Sequence, residues 1–470
     1  MGKTPPIAAI GCIAALLAGC ATYQSEPISS RQTATSLEAR TLDDPRLSAF
    51  LSAAAPPRVG GQPVWDLETL TLAAVYFHPD LKVAYAKLAT AQAAVTTARE
   101  RPNPTLDLSG AYNTLSPPVS AGLAVNFLLE TFGKRGDRTE QARDLARAAR
   151  QDITTAAWQV RGGVRRALLD LWAAQRRIVL GRSRLQMEAE LVGLLERRLA
   201  VGEASALDVA RERVNRDQFT VAVSDAERAA ATARAQLATA IGVSARALDG
   251  VDINLQAFDE PPGVSPKIGQ GELRQRALSG RGDVQSSLAQ YAATEAALKL
   301  AIANQYPNLT LSPGYSHGEA GNSFGLASPG LELPIFNQHQ GPIGEAVAHR
   351  KEAAANFTAL QARIIGAIDT AAVAYQTATR GVATTTALLD SQEQRQARTD
   401  ALFRAGQIDR PTLLAGSLEV STVQLSNVDA ALVQRQALGQ LEDALQQPLF
   451  DPQALHLAAL ASPPISEPRR

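Results

Sequence analysis

Side chains that could carry out chemistry are few in this chain of 470 residues, and they are scattered. Of its five histidines, the closest two, His339 and His349, do not have the spacing of metal ligands. The stretch FGKRG lacks the first glycine and the Ser or Thr of a phosphate-binding loop. No nucleophile and base of the hydrolase type occur in a recognisable pattern. The sequence therefore predicts that the protein is not an enzyme and holds no metal.

The balance of charge and the shortage of aromatic residues restrict the class of protein further. Lys and Arg together number 46, as do Asp and Glu, whereas a nucleic-acid-binding surface requires an excess of basic residues. Aromatic residues make up only 5% of the chain, and alanine is abundant. This composition favours long, closely packed helices over a thick aromatic core. We therefore expect a mainly α-helical protein with no nucleic-acid partner.

The two cysteines, Cys12 and Cys20, both lie near the start of the chain. Lys3 and the apolar run after it have the pattern of a secretory signal, and the run is too short to span a bilayer. The tetrapeptide LAGC follows and resembles the lipobox of bacterial lipoproteins. The sequence thus predicts a signal peptide over residues 1–19 and a covalent lipid, the one expected cofactor, on Cys20. Ala21 favours the outer membrane by analogy with lipoprotein sorting. An ordinary signal peptide with an accidental cysteine is the alternative.

Landmarks in the first part of the chain recur in the same order in the second part. Each pair is separated by close to 204 residues. The landmarks are Pro102 with Pro307, Phe132 with Phe336, and Gly202 with Gly406. A fixed offset over several landmarks predicts two homologous halves, which we place at residues 66–243 and 270–448.

Each half follows one plan, in which two strands precede a long helical hairpin. The expected strands cover residues 105–113, 121–129, 309–317 and 324–335. The expected hairpins cover residues 138–241, with the tip at 202, and 343–446, with the tip at 406. Three further segments complete the chain: an extended N-terminal segment at 20–65, a linker or equatorial segment at 244–269, and a Pro-rich tail at 449–470.

The strand patterns have the length and alternation of membrane β-strands. Leu106, Leu108 and Tyr112 point to one face, and polar residues alternate with them. A strand that crosses a membrane needs about 9–11 residues. Four strands cannot close a barrel, and an open sheet edge is not tolerated in lipid. The sequence therefore predicts that several chains share one barrel.

The helical patterns are much longer than a globular helix. From Arg138 to Ala200 the pattern would extend about 95 Å at 1.5 Å per residue. Apolar residues recur every three or four positions, with alanine between them and charges on the other faces. This is a coiled-coil-like surface on which small residues permit close packing. A plain soluble coiled coil would not explain the strands or the LAGC segment.

Four segments, taken in order, carry a resemblance to a known family. They are FHPDLKVAYAKLATAQAAVTTARERPNPTLDLSGAY, NFLLETFGKRGDRTEQARDLARAA, RLAVGEASALDV and LELPIFNQHQGPIGEA, and together they extend over most of the chain. The sequence resembles the TolC-like outer membrane efflux proteins, and most of all their lipoprotein, CzcC-like branch for cobalt, zinc and cadmium.

The resemblance implies a fold, a location and a set of partners. The fold would be a homotrimer whose twelve-stranded β-barrel lies in the bacterial outer membrane. A long α-helical barrel would extend from it through the periplasm. The function would be passive export through this tunnel, coupled to an inner-membrane pump of the RND type and a periplasmic adaptor protein.

The resemblance also implies a role for the two breaks in the helical pattern. In the family, hairpin tips dock the adaptor through a Val-Gly-Leu-like element. The matching residues are Val201, Gly202 and Glu203 in the first half and Ala405, Gly406 and Gln407 in the second. Glu203 and Gln407 stand where the family has leucine, so this interface would be more polar. The alternative is that each glycine merely ends a helix, as glycine does at many helix ends.

Acidic residues near the family's tips narrow the closed end of the tunnel. Asp208 matches such a position in the first half, whereas the second half has Thr412 and Ala415 there. Asp409 and Arg410 lie close by and could substitute. These three candidates for the periplasmic gate, Asp208, Asp409 and Arg410, compete with a simpler interpretation. Asp208 could be an ordinary first-turn helix acid.

Two other functions are compatible with parts of the sequence. A periplasmic adaptor or coiled-coil scaffold lipoprotein would have one helical hairpin, whereas this chain has two. The exit duct of a type I secretion system would share the fold and differ in cargo. The sequence leaves the cargo open between metal ions and small organic toxicants.

Overall fold

The structure is a computed structural model that describes residues 23–54, 64–112, 114, 119–260, 270–318, 321–325, 330–331 and 333–449. Within these residues, ten α-helices account for most of the fold. Their bounds are α1 Ser30–Glu38, α2 Pro45–Ala54, α3 Leu67–Phe77, α4 Pro79–Arg99, α5 Lys134–Ala200, α6 Ala206–Ile241, α7 Gln270–Gly280, α8 Gly282–Ala303, α9 Gln340–Arg404 and α10 Arg410–Leu445. The predicted signal peptide with Cys20, and residues 450–470 of the predicted tail, lie outside the described residues.

The strands form one antiparallel sheet. Their bounds are β1 Thr105–Tyr112, β2 Val119–Leu129, β3 Leu309–Leu311, β4 Gly314–Gly318, β5 Gly321–Gly325 and β6 Gly330–Leu331. β2 pairs with β1 on one side, and with β3 and β4 at successive positions on the other. β5 and β6 then pair with β4 and β3. The sheet is therefore a meander of two strand pairs, one from each half, and side chains on both faces of β1 are exposed.

Proline explains where the strands of the second half depart from the sequence-based prediction. The strand predicted at 309–317 is interrupted between Leu311 and Gly314, because Pro313 has no N–H to donate. For the strand predicted at 324–335, both predicted ends were wrong. It begins three residues earlier, at Gly321, where the backbone turns with φ +85°. Its described part ends at Leu331, before Pro334.

Each strand pair leads into a helical hairpin made of one very long helix and one shorter return helix. α5 has 67 residues and α9 has 65, and each return helix has 36. The long helices begin at Lys134 and Gln340, several residues before the predicted starts at 138 and 343. The residues before them, Gly133 and His339, have left-handed φ values of 76° and 63°, which turn the chain directly into the helix.

The prediction of an extended segment at 20–65 was wrong, because two helices form there. Ser29 caps α1 by accepting a hydrogen bond from the N–H of Gln32. α2 buries Leu47, Phe50 and Leu51 in the main apolar core. Burial of these apolar side chains stabilises a helix that the short, Pro-flanked sequence does not suggest by itself.

The two halves bury equivalent positions at one constant offset. On α5 and α9, four pairs of residues 204 positions apart are all buried: Val160 with Ile364, Val164 with Ile368, Ala167 with Ala371, and Leu171 with Tyr375. On α6 and α10, three pairs at the same offset are also buried: Ala233 with Ala437, Leu237 with Leu441, and Ile241 with Leu445. Each hairpin therefore packs its two helices in the same register.

Candidate functional site

The two hairpin tips have the same backbone geometry. Each long helix ends in a Schellman motif, with glycine in the left-handed conformation at φ +81° for Gly202 and +72° for Gly406. At the first tip, the N–H of Glu203 donates to the Arg198 carbonyl at 2.8 Å. At the second tip, the N–H of Gln407 donates to the Leu402 carbonyl at 3.0 Å. Glycine is required at both positions because a Cβ disfavours this conformation.

The tips are exposed. Val201 is 70% exposed and Leu207 is 71% exposed. A Cβ built on Gly202 or Gly406 would lie within 4 Å of no other described group. A short exposed turn on a long helical hairpin is a typical place for a binding surface.

Asp208 belongs to the start of α6. The Ser205 hydroxyl caps this helix by accepting a hydrogen bond from the Asp208 N–H at 3.1 Å. The same hydroxyl donates to the Asp208 carboxylate at 2.7 Å. Asp208 therefore helps to fix the first tip, and its carboxylate remains exposed.

Asp409 caps the return helix of the second tip and also binds the first hairpin. Its carboxylate accepts from the Thr412 N–H at 3.0 Å and from the Thr412 hydroxyl at 2.6 Å. Arg198, near the end of α5, donates to it at 2.8 Å. The hydrogen bonds from Thr412, followed by the one from Arg198, lower the pKa of Asp409 to about 2.

Arg410 makes the second link between the hairpins. Its guanidinium binds the Glu190 carboxylate through two hydrogen bonds of 2.7 and 3.0 Å. This two-point geometry favours the charged forms of both groups. The hydrogen bond from Arg410 lowers the pKa of Glu190, and the same bond raises the pKa of Arg410.

The sequence did not identify the partners on the first hairpin, Glu190 and Arg198. These residues are eight positions apart and therefore share one face of α5. This spacing matches opposite charges on Asp409 and Arg410, and it could have suggested two ion pairs between helices. The sequence does not show which helix lies next to α5, however, so the partners could be assigned only from the structure.

A buried ion pair lies above the tips, at the junction of three helices. Arg184 lies over the Phe219 ring, 3.7 Å from its centroid, and donates to the Leu418 carbonyl at 3.2 Å. Glu188, one turn further along α5, is 2% exposed, and burial raises the pKa of its carboxyl. This pair connects α5 to both return helices.

Replacing Asp409 by asparagine should lower the melting temperature at neutral pH. The folded-state pKa is depressed, so the charged carboxylate stabilises the tip above pH 3.8, and this contribution is lost as the pH falls from there to about 2. Circular dichroism melts across this range should show the difference from the parent chain vanishing at the acid end. Asp208→Asn at the other tip is the matched control, and an equal effect there would contradict the assignment.

Among the residues that the structure describes, no three His, Cys, Asp or Glu side chains come together as metal ligands would. The structure thus places seven of the nine non-lipid candidates in the two hairpin turns, and Asp208 and Arg410 in the first turns of the two return helices. It joins Asp409 and Arg410 to the first hairpin and leaves the Val-Gly-Glu and Ala-Gly-Gln turns uncovered.

These features define a class of protein in which one chain contributes strands to a shared membrane barrel and two helical hairpins to a tunnel. The family described as outer membrane efflux protein matches residues 74–243 and 273–446, with one match in each half. The chain belongs to this family.

Three relatives illustrate the relationship. The cobalt-zinc-cadmium resistance protein CzcC of Cupriavidus metallidurans is 25% identical over 304 residues, which is 64% of this chain and 71% of that protein. The pyoverdine export outer membrane protein OpmQ of Pseudomonas aeruginosa is 30% identical over 46% of each chain. The solved structure of the outer membrane protein VceC from Vibrio cholerae is 17% identical and superposes with a TM-score of 0.65, covering 82% of this chain and 96% of that one.

Family membership confirms the predicted fold, location and partners. The chain is an outer membrane channel component of a tripartite efflux system, and it extends into the periplasm. It assembles as a homotrimer and works with a periplasmic adaptor and an inner-membrane pump of the RND type. Its β-strands and helices build a shared β-barrel and an α-helical barrel. The adaptor alternative is therefore excluded, in agreement with the two hairpins.

Proposed function

We propose that the two tips of each chain are the adaptor-docking sites of the channel. The observation that carries the proposal is the identical Schellman geometry at two exposed turns, Val201–Glu203 and Ala405–Gln407. Two equivalent turns per chain give a trimer six similar sites in a ring. Polar side chains at Glu203 and Gln407 suit an adaptor surface with hydrogen-bonding groups.

Asp208, Asp409 and Arg410 form the periplasmic gate region. Asp409 and Arg410 join the second tip to the first within one chain. These contacts would hold both tips together at the end of the tunnel. Asp208 leaves an exposed carboxylate at the start of α6. Three copies would bring three such carboxylates near the tunnel axis, where like charges repel and favour a cation between them.

The chain acts as a passive conduit and performs no catalysis. Its one covalent group is a lipid on Cys20, which anchors the mature N-terminus in the outer membrane. This anchor is supported by the LAGC segment at the end of the apolar run. It would supplement the barrel as a second attachment to the membrane.

The cargo is metal ions or small organic toxicants. The relatives are named for resistance to cobalt, zinc and cadmium, for export of pyoverdine and for resistance to fusaric acid, so similar chains serve both classes. The scattered histidines and the near-absence of methionine argue against a built metal path in this chain. Selection of the cargo therefore rests with the pump.

Deletion of the gene tests the proposed function directly. Cells without the chain should become sensitive to zinc and copper if the cargo is metal, or to antibiotics if it is organic, and the full chain should restore resistance. Secretion of a protein substrate that stops on deletion would instead support the type I exit duct. Unchanged sensitivity and unchanged secretion would contradict all three cargoes.

A further inference from the structure

The sheet has one apolar face and one polar face. Side chains alternate between the two faces of a strand, and the pairing register aligns the faces of neighbouring strands. Leu108 of β1 lies opposite Leu123 of β2, which lies opposite Tyr315 of β4 on its other side. The same face also carries Leu106, Val125, Phe127 and Phe324. A face of this kind contacts lipid in a membrane barrel, so the opposite face lines the lumen.

The lumenal face consists mainly of small, uncharged residues. Ser109 of β1 lies opposite Gly122 of β2, and the Ser316 and Ser323 hydroxyls are 2.9 Å apart across β4 and β5. Asp107 is the exception on this face. In the strands that the structure describes, no other residue is Asp, Glu, Lys or Arg. Over these strands, the fixed charge of the lumen therefore comes from Asp107.

A neutral side chain positions the Asp107 carboxylate. Asn126 of β2 donates through its Nδ2 to the Asp107 carboxylate, and the same Nδ2 lies 3.2 Å from the Thr105 hydroxyl. Thr105 and Asn126 are direct partners in the register, so the three side chains share one face. An amide fixes the position of a carboxylate but does not neutralise its charge. The Asp107 side chain is exposed and retains that charge towards the lumen.

The direction of the chain gives the level of Asp107 in the barrel. α4 ends at Arg99 and β1 begins at Thr105, so β1 enters the membrane from the side of the helices. Asp107 lies two residues further on, about 7 Å along the strand. The homotrimer places three copies of this residue at one level around the axis. These three carboxylates, which we call the Asp107 ring, lie near the periplasmic mouth of the β-barrel.

We propose that the Asp107 ring makes the β-barrel select cations over anions. Fixed carboxylates attract cations and repel anions over about one Debye length, which is about 30 Å in 0.01 M salt and about 3 Å in 1 M salt. The low-dielectric wall of the barrel strengthens this field within the lumen. The inference rests on the passive conduit proposed above and adds the charge of the solutes that the conduit favours. Asp107 is thus a specificity-determining residue, separated from the hairpin tips by the 67 residues of α5.

Reversal potentials across planar bilayers test this proposal. Purified trimers of the full chain are placed in gradients of potassium chloride, once near about 0.01 M and once near about 1 M. Asp107→Asn keeps the shape of the side chain and changes the ring charge from minus three to zero. Asp107→Lys changes it to plus three. The double variant Asp107→Asn with Asn126→Asp moves each carboxylate to its hydrogen-bond partner on the same face, and is the matched control.

The parent chain should favour potassium over chloride by about threefold or more in dilute salt, and the preference should shrink in about 1 M salt. Asp107→Asn should lose most of this preference, Asp107→Lys should favour chloride, and the double variant should resemble the parent. Each variant is first shown to migrate as a trimer.

Two results would overturn the proposal: Asp107→Asn trimers as selective as the parent, or double-variant trimers no more selective than Asp107→Asn. Either result would place the selectivity of the tunnel outside the barrel. Parent trimers that never conduct ions would instead overturn the conduit on which the inference rests.

Discussion

Replacing Glu442 by alanine is expected to destabilise the protein by about 3–5 kcal/mol, the largest effect of any single substitution considered. The reason is that Arg161 and Arg165, which are 10% and 7% exposed, both depend on this carboxylate. Its second oxygen also accepts the Leu449 N–H at 3.0 Å. Loss of helical circular dichroism on heating, at a fixed trimer concentration, measures the change.

Asp429→Ala is the matched control for this prediction. It removes a carboxylate from the same helix, α10, that also pairs with an arginine of α5. In this pair, however, the Arg177 side chain is 37% exposed and the Asp429 side chain is 57% exposed. An exposed pair of this kind contributes about 0–1 kcal/mol. If both variants had the same melting temperature, the buried ion pairs of Glu442 with Arg161 and Arg165 would not be the main contact that holds the two hairpins together.

Replacing Gly202 and Gly406 together by alanine should abolish efflux while leaving the trimer folded. Each alanine would sit at a positive φ that disfavours it by about 1–2 kcal/mol. No described group lies within 4 Å of the new methyl, so the tip turns rearrange and the rest of the hairpin is undisturbed. If docking requires both turns in their present shape, adaptor capture falls about tenfold or more. Resistance assays and adaptor pull-down measure the two effects.

Gly381→Ala is the control for the tip variant. It makes the same chemical change on an exposed part of α9, where the helix accepts alanine and no described group lies nearby. It should leave both resistance and adaptor capture unchanged. A tip variant that captured the adaptor as well as Gly381→Ala does would show that the Schellman geometry is irrelevant to docking.

Much of the architecture could be predicted from the sequence, because the signals are repeated. Glycine at 202 and 406, proline at 102 and 307, and alanine-rich helical periods occur in both halves, and each repeat strengthens the interpretation of the other. The errors lie where local signals compete. Pro313 and Pro334 interrupt alternating strand patterns, and α2 forms because Leu47 and Phe50 are buried by distant parts of the chain.

The candidate site was predicted less completely than the fold. The tip residues could be located because a glycine break is a local feature. The contacts of Asp409 with Arg198 and of Arg410 with Glu190 join residues that are 211 and 220 positions apart in the sequence, so they depend on how the two hairpins align side by side. Sequence periodicity gives the face of a helix but not its neighbour, so this half of the site required the structure.

If the hairpin tips dock the adaptor, residues at the tips must lie within crosslinking distance of it. Photo-crosslinking amino acids placed in living cells at Glu203 and Gln407 test this claim most directly, with Glu227, an exposed residue in the middle of α6, as the control position. We predict covalent adducts with the adaptor from both tip positions and none from position 227. Adducts from position 227 but not from the tips would contradict the claim and place adaptor contact on the wall of the helical barrel.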